Sequence, residues 1–202
     1  MARVGLTVAR LVESGAELAD EAGFDAVTLS ALARRHGVKV ASLYSHVANS
    51  HDLRSRICLL AVEEMADRGA TALAGRAGRD ALVALAGVYR TYAHDHPGRY
   101  AAAEYRLDAV DAAASAGPRH AGLARAVLRG YDLDEPEQTH AVRLMGSVIR
   151  GFVNLELAGG FSHGEPDAEQ SWTWCLDALD ALLRRPADLR PSAPTTPERS
   201  TP

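Results

Sequence analysis

Hydrophobic residues recur along most of this chain every three or four positions, the spacing of one face of an α-helix. The first such segment, residues 4–22, carries Leu11, Leu18 and Ala19 on one face and ends at Gly23. Comparable patterns predict helices at 49–68, about 79–95, 135–159 and 166–184, with shorter helices in between. The pattern therefore predicts an all-α fold of about nine helices.

Residues 28–47 have the pattern of two short helices joined by a tight turn, a helix-turn-helix. Thr28 is suited to cap the first helix, because its hydroxyl can accept a hydrogen bond from a first-turn N–H. Gly37 is suited to end that helix, because glycine adopts the left-handed conformation without strain. The second helix is predicted from about Lys39, and its apolar residues are predicted to face inward: Val40, Leu43 and Val47. With the first helix packed across the pair, residues 1–48 form a three-helix, homeodomain-like unit.

The second helix of this unit carries its polar residues on the outward face: Lys39, Ser42, Tyr44, Ser45 and His46. Their donor groups match the acceptor atoms of phosphates and base edges. Lys39 in the first turn opposes the helix dipole, so its charge is favourable only when an anion or a guanine lies in front of it. The sequence therefore indicates a DNA-binding surface. The alternative is a polar helical face that contacts only solvent.

The string from Thr28 through His36-Gly37-Val38 to Leu43-Tyr44-Ser45-His46-Val47 resembles the DNA-binding domain of TetR-type bacterial transcriptional regulators. The resemblance implies that Thr28, Tyr44 and His46 contact phosphates. It also implies that five residues lie nearest the major groove: Lys39, Val40, Ala41, Ser42 and Ser45. Lys39, Val47 and Ser50 depart from the family's usual hydroxyl, phenylalanine and lysine. The missing lysine removes one expected phosphate contact, for which His51, Arg54 or Arg56 are candidate replacements.

Charge is unevenly distributed along the chain. The 202 residues carry a net charge of −4, which taken alone argues against a nucleic-acid partner. Residues 26–57, however, contain five cations and one acid, a balance of +4: Arg34, Arg35, Lys39, Arg54 and Arg56 against Asp52. A local basic patch on an acidic body binds DNA through few phosphate contacts and with modest salt dependence.

The composition sets outer bounds on the class of protein. Hydrophobic residues make up 47% of the chain, enough for a substantial core, and aromatic residues only 5%, which with abundant alanine and leucine favours helix. Cys58 and Cys175 lie in apolar helical surroundings and are predicted to be buried free thiols. No apolar run reaches the ~20 residues that span a bilayer, and no signal peptide is recognised. We therefore expect a soluble cytoplasmic protein with no membrane partner.

The remainder of the chain reads as a helical body. Residues 49–68 are predicted to form a connecting helix, and the glycine-rich residues 69–79 a loop before a ligand-binding and dimerisation domain at 69–185. The helix at about 79–95 is apolar nearly all round, which predicts a central, buried position. The last residues, 186–202, are rich in proline and are predicted to be a disordered tail.

The long helix at 135–159 carries two apolar stripes, which suggests two partners. One stripe is expected to face the core and the other to join the last helix in a four-helix bundle with a second copy. The predicted interface residues are Val142, Ile149, Val153, Leu157, Leu176, Leu179 and Leu183. The alternative is that both stripes are ordinary core. The string Arg150-Gly151-Phe152-Val153, followed by Trp172, resembles the C-terminal domain of an actinobacterial TetR subgroup and favours the dimer.

Buried helices of the body offer residues that are both polar and apolar, which are candidates for a small-molecule pocket: Tyr89, Tyr92, Tyr105, His140, Asn154 and Trp172. The alternative is that they are core residues whose polar ends are satisfied. Histidines are scattered rather than spaced as metal ligands, there is no CxxC, and neither a phosphate-binding glycine loop nor a nucleophile elbow occurs. We therefore predict no metal, no cofactor and no enzymatic activity.

Together these features predict a TetR-type regulator that acts as a repressor, the family's usual mode. A homodimer would place two recognition helices in successive major grooves about 34–36 Å apart and so require palindromic operator DNA. A small-molecule effector in the body would change that separation through its unequal affinity for the two states. The alternative function is a helical ligand-binding or adaptor protein without DNA-binding activity.

Overall fold

A computed structural model describes residues 6–184, and within that range the chain folds into nine α-helices and two 3-10 helices, with no strand. The α-helices are α1 (Val8–Ala22), α2 (Leu29–His36), α3 (Ser50–Leu73), α4 (Gly78–Asp95), α5 (Pro97–Ala102), α6 (Ala109–Ala114), α7 (Gly117–Leu128), α8 (Glu135–Leu157) and α9 (Ala168–Leu183). The 3-10 helices span Phe24–Ala26 and Val40–Ser45. The all-α fold predicted from the sequence is confirmed, and the predicted tail at 186–202 lies outside the described residues.

Local signals in the sequence fix several helix ends. The Thr28 hydroxyl accepts a hydrogen bond from the backbone N–H of Ala31 at 3.1 Å, and Gly37 ends α2 in the left-handed conformation with φ 65°. The Asn49 side chain accepts from the N–H of Asp52 at 2.9 Å and caps α3. The predicted cap at Thr28 and the predicted helix stop at Gly37 are therefore confirmed.

The connecting helix is longer than the sequence predicted, and the loop predicted at 69–79 is wrong for its first five residues. Helix α3 continues to Leu73, and only residues 74–77 separate it from α4. Gly69 is buried, and a Cβ added there would lie 2.8 Å from Leu123 Cδ1 and 3.2 Å from Leu85 Cδ1. The glycine therefore allows α3, α4 and α7 to approach closely, and it does not break the helix.

The hydrophobic core consists of two clusters joined by α3. The N-terminal cluster holds α1, α2 and the 3-10 helix Val40–Ser45 together through fully buried side chains: Leu11, Leu32, Leu43, Leu53 and Ile57. The second cluster surrounds α4, which packs against α3, α7, α8 and α9. The predicted central position of this helix is therefore confirmed, although one face stays open where Val83 is exposed.

Helix α5 ties the body to the N-terminal unit. Ala102 is buried in the N-terminal cluster, and Gly98 packs so tightly on α1 that an added Cβ would fall 1.9 Å from the carbonyl carbon of Ala19. Arg99, which is buried, donates to Asp20 at 3.0 Å, Glu64 at 2.9 Å and Glu13 at 2.6 Å. Packing and charge therefore fix α5 against both α1 and α3.

The stripe predicted to form the dimer interface faces the chain's own core, and this prediction is corrected for most of its residues. Five of the seven are buried within one chain: Ile149, Val153, Leu176, Leu179 and Leu183. Val142 is half-buried and packs on the same core, and only Leu157 is exposed. Periodicity identified two stripes on the long helix, but α4 and α7 cover the one that had been assigned to the partner.

Three smaller features of the fold concern the cysteines, the hydrophobicity of the helices and the metal-ligating side chains. Cys58 is a buried free thiol, as predicted, whereas Cys175 is only partly buried. None of the helices in the described range is sufficiently long and apolar to cross a bilayer. Residues 6–184 also hold no cluster of three or more side chains suited to bind a metal ion.

Candidate DNA-binding surface and interior cavity

The second element of the helix-turn-helix is a 3-10 helix, Val40–Ser45, where the sequence predicted an α-helix from about Lys39. Lys39 is the extended residue before it, with φ −77° and ψ 145°, so its charge does not oppose a helix dipole from within the first turn. Residues three apart align along a 3-10 helix. Leu43 is accordingly fully buried with Val40 partly buried beside it, while Ala41 and Tyr44 face outward.

Most residues predicted to contact DNA are exposed. Tyr44 has 56% of its surface accessible, although a tyrosine in this size of protein is usually at least half-buried. Also exposed are Thr28, Lys39, Ala41, Ser42 and Ser45, whereas Val40 and His46 are half-buried. Buried Leu43 and Val47 hold the segment from behind. The arrangement presents hydroxyl, phenol, imidazole and ammonium groups on one rigid edge of the N-terminal unit.

Only part of the local positive charge is available to a ligand. Arg35 pairs with Glu17 and Glu21, Arg54 with Asp25, and Arg56 with Asp52. His51, another candidate to replace the missing lysine, hydrogen-bonds the hydroxyl of Tyr105. Arg34 and Lys39 are exposed and have no ion-pair partner among residues 6–184. The free cations near the helix-turn-helix in the described part of the chain are therefore these two.

The body contains a cavity of about 560 Å³ bounded by α3, α4, α5, α7 and α8. That volume lies within the range of roughly 300–1,000 Å³ typical of small-molecule sites. Its walls are largely apolar, with contributions from Val62, Met65, Leu85, Met145 and Ile149. An enclosed apolar space with a few polar groups is the usual form of a ligand site.

Two of the six predicted pocket residues, Tyr89 and Tyr105, line this cavity. Tyr92 is fully buried in the core, where its hydroxyl donates to Glu64 at 2.6 Å. Trp172 packs against Phe152 and beneath Arg90, away from the cavity. His140 and Asn154 are exposed. These four predictions do not fit the cavity, because residue type alone does not tell which face of a helix turns inward.

The cavity wall also contains polar residues that sequence reasoning missed: Tyr100, Glu104, His120 and Arg150. His120 Nε2 lies 2.8 Å from the carbonyl oxygen of Val62, and Nδ1 lies 2.5 Å from the hydroxyl of Tyr89. Since a carbonyl only accepts, Nε2 donates to Val62, and Nδ1 accepts from Tyr89. Burial lowers the pKa of His120, which favours this neutral ring. The one sequence signal was a histidine beside the alanine, glycine and leucine residues of α7, and three separate helices had to meet before it became part of a site.

Tyr105 connects the cavity to the N-terminal unit. Its side chain lines the cavity, and its hydroxyl lies 2.9 Å from Nδ1 of His51 on α3. The ring meets Phe24 edge-on with centroids 5.7 Å apart, and the guanidinium of Arg54 lies above both rings. A change at this end of the cavity therefore reaches α3 and the segment between α1 and α2 directly.

Helices α8 and α9 contact each other, and both carry exposed apolar side chains. Trp174 is 73% exposed, and Leu144, Leu155 and Leu182 are also exposed. Gly151, Ala178 and Ala181 are exposed as well. Large exposed apolar side chains on adjacent helices mark an interaction surface more often than a solvated one.

Comparison with known proteins places this architecture in a family. The profile of bacterial regulatory proteins of the tetR family matches residues 11–52, and the profile described as Tetracyclin repressor-like, C-terminal domain, matches residues 82–179. An HTH-type transcriptional regulator of Mycobacterium tuberculosis is 37% identical over 160 residues, which cover 78% of this chain and 73% of that protein. Another, from Bacillus subtilis, is 27% identical over 163 residues, covering 81% and 85%.

Solved structures share the fold. PfmR, a TetR family transcriptional regulator from Thermus thermophilus, superposes with a TM-score of 0.62 at 22% identity over 90% of this chain and 97% of its own. A TetR variant from Acinetobacter baumannii in complex with minocycline gives 0.65 at 20% identity over 90% and 100%. The chain belongs to the TetR family of bacterial transcriptional regulators.

Proposed function

We propose that this chain is a repressor that binds palindromic operator DNA as a homodimer and releases it when a small molecule enters the cavity. The observation that carries the proposal is the exposed polar edge formed by residues 39–46, held in place by buried Leu43 and Val47. Base edges and phosphates are recognised by donor groups of this kind.

Within this proposal the residues divide into two roles. Thr28, Tyr44 and His46 contact phosphates and position the protein, while Lys39, Ala41, Ser42 and Ser45 lie toward the base edges. The Thr28 hydroxyl already caps α2, so it holds the helix end from which a phosphate would be bound. Arg34 joins the phosphate contacts, because its guanidinium is exposed and has no acidic partner among the described residues.

The dimer in this proposal forms through the outward faces of α8 and α9. Trp174, Leu155 and Leu182 supply the apolar area that the buried stripe cannot supply. Two helices from each copy make a four-helix bundle around a two-fold axis. The same axis gives the operator its palindromic symmetry.

The effector in this proposal occupies the cavity and acts through Tyr105. The minocycline complex of the Acinetobacter baumannii protein shows that a relative of the same fold holds a small molecule. In this chain Tyr105 both lines the cavity and contacts His51, so occupancy bears directly on the position of α3. An effector whose affinity differs between the two positions of α3 shifts the DNA-binding equilibrium by that difference.

Selection of bound sequences from a random DNA pool tests the proposal. We expect a palindromic sequence, bound at least about 10³-fold more tightly than scrambled DNA at moderate salt. Tyr44→Ala should weaken the selected and scrambled sequences alike, whereas Ser42→Ala should change which sequences are selected. Equal affinity for both DNAs, or an unchanged affinity in Tyr44→Ala, contradicts the proposal.

A further inference from the structure

The cavity wall carries one charged pair in an otherwise uncharged lining. Among the described residues that line the cavity, the only full charges at neutral pH belong to Arg150 of α8 and Glu104, which follows α5. They bind each other: Arg150 Nε lies 3.1 Å from one carboxylate oxygen of Glu104, and a terminal guanidinium nitrogen lies 3.4 Å from the other. Both side chains are partly exposed, so the pair lies at the mouth of the cavity.

A second polar group beside this pair has no partner. The Tyr100 side chain is only 6% exposed and lines the cavity, and its hydroxyl forms no hydrogen bond with any residue in the range 6–184. The hydroxyl is not among the buried polar atoms without a partner, so it opens onto the cavity. The hydroxyl of Tyr89, in contrast, is already donated to His120. The Tyr100 hydroxyl is therefore free to donate a hydrogen bond to a ligand in the cavity.

We infer that the effector is an amphipathic carboxylate, whose acid group replaces Glu104 on Arg150 and accepts from Tyr100 while its apolar body fills the cavity. The inference rests on the proposed function in taking this cavity as the effector site. A guanidinium presents parallel N–H donors that match both oxygens of a carboxylate. Glu104 shows that the guanidinium accepts such a group in this position, and on displacement its side chain can turn into solvent.

The charge of Arg150 acts on more groups of the cavity lining than the charge of Glu104 does. Burial raises the pKa of Tyr89 to about 12, and the charge of Arg150 opposes that rise. Burial also raises the pKa of Tyr100, again against the charge of Arg150. The positive charge of Arg150 therefore acts on several groups deep in the wall. The charge of Glu104 acts on Tyr100 and on Cys58, so of the two charges the positive one acts on more groups of the lining.

Most of the remaining cavity lining has the chemistry of a hydrocarbon site. Val62, Met65, Leu85, Met145 and Ile149 face the interior and offer no polar side-chain hydrogen-bond donor. Burial of each methylene there is favourable by about as much as its transfer from water. A linear or ring-bearing acid with a single charged end therefore matches both the charged pair and the apolar lining.

Isothermal titration calorimetry on the purified full chain tests this without DNA. The probes are decanoate, decan-1-ol and decylammonium, which share one hydrocarbon chain and differ in charge. We expect decanoate to bind most tightly, and Arg150→Gln to weaken decanoate by roughly 10- to 100-fold while changing decan-1-ol by less than about threefold. Arg125→Gln, an exposed arginine on α7 that does not line the cavity, is the matched control and should leave decanoate binding unchanged.

Three outcomes would overturn the inference. Equal binding of decanoate and decan-1-ol, or decanoate binding that is insensitive to Arg150→Gln, means that the charged pair has no role in recognition. Tighter binding of decylammonium means that Glu104 is the recognising group and the ligand is a cation. Failure of the chain to select an operator, with decanoate bound as expected, would reject the proposed regulatory function and leave the ligand class intact.

Discussion

Arg34 and Lys39 differ from the other cations of the N-terminal unit in what surrounds them. Arg35 follows Arg34 in the same helix, but its guanidinium is bound to Glu17 and Glu21 at 3.1 and 2.6 Å. Arg34 has no such partner among the described residues, and neither has Lys39. An arginine already paired with carboxylates releases few counterions from DNA, because its charge is largely neutralised before binding.

Arg34→Gln should therefore reduce the salt dependence of operator binding, whereas Arg35→Gln should not. Each dimer would lose two phosphate contacts with Arg34→Gln. The slope of log K against log salt concentration should become shallower by about 1.8. Fluorescence anisotropy titrations at several salt concentrations measure it. An equal change in the Arg35→Gln variant would show that the ion pairs with Glu17 and Glu21 open on DNA.

At the scale of elements, the sequence correctly predicted the helix ends that depend on neighbouring residues. Thr28 and Gly37 mark the ends of α2, because capping depends on one residue and its immediate neighbours. Gly69 was misread as a loop signal, since its close contact with Leu123 involves a helix more than fifty residues away. The dimer stripe failed for the same reason: Val153 and the exposed Leu155 both fit a helical pattern, and only tertiary packing decides which one is buried.

The DNA-binding surface and the cavity differ in the same way in how far the sequence predicts them. Tyr44 was predictable because it belongs to a contiguous motif that resembles a family's DNA-binding helix. Tyr100 and Arg150 were not, because the cavity brings them together from α5 and α8. No spacing rule connects positions fifty residues apart, so the polar end of the cavity could be found only from the fold.

Arg90 links three helices of the body, and its partner Glu156 gives the body a measurable pH dependence. Glu156 lies on α8, accepts from Arg90 of α4 at 2.7 Å, and Arg90 also pairs with Glu169. The hydrogen bond from Arg90 lowers the pKa of Glu156 below its ordinary 4.5. A carboxyl with a lowered folded-state pKa stabilises the fold above its unfolded-state pKa, and that stability is lost as the pH falls through the folded-state value.

Glu156→Gln should lower the free energy of unfolding at pH 7 by about 1.5–3 kcal/mol. The difference from the unsubstituted protein should be smaller at about pH 3 than at pH 7, because protonation of the carboxyl, which sets in below its ordinary pKa of 4.5, removes the charge-assisted hydrogen bond from Arg90. Urea unfolding at both pH values measures it. Glu169→Gln, which alters the exposed partner of the same arginine, should cost less than about 1 kcal/mol. A loss for Glu156→Gln that does not change with pH would contradict this role.

At the scale of the whole molecule, two exposed apolar residues of similar accessibility differ in their surroundings. Trp174 on α9 is 73% exposed, and α9 and the helix it contacts, α8, carry further exposed apolar and small residues. Val110 on α6 is 77% exposed, in a helix of six residues that has no buried side chain. Isolated exposed hydrophobic residues are common, whereas adjacent ones mark an interface.

In the proposed dimer, Trp174→Asp should separate the two copies, whereas Val110→Asp should leave them associated. Loss of a buried tryptophan and burial of a charge together should raise the dimer dissociation constant by roughly 100-fold or more. Light scattering coupled to size exclusion measures the mass, and operator affinity should fall in parallel because a monomer contacts one half-site. A Trp174→Asp variant that keeps the mass of a dimer would place the interface elsewhere.

The close fit of α5 against α1 limits how this protein can be re-engineered. Ala102 fills part of the core beneath the helix-turn-helix, and Gly98 leaves no room for even a methyl group next to Ala19. An N-terminal unit cut out without α5 would lose Ala102 from its core, and its carboxylates Glu13 and Asp20 would lose their partner Arg99. A chimera that joins the proposed DNA-binding unit to another body must therefore keep the six residues Pro97–Ala102 with that unit.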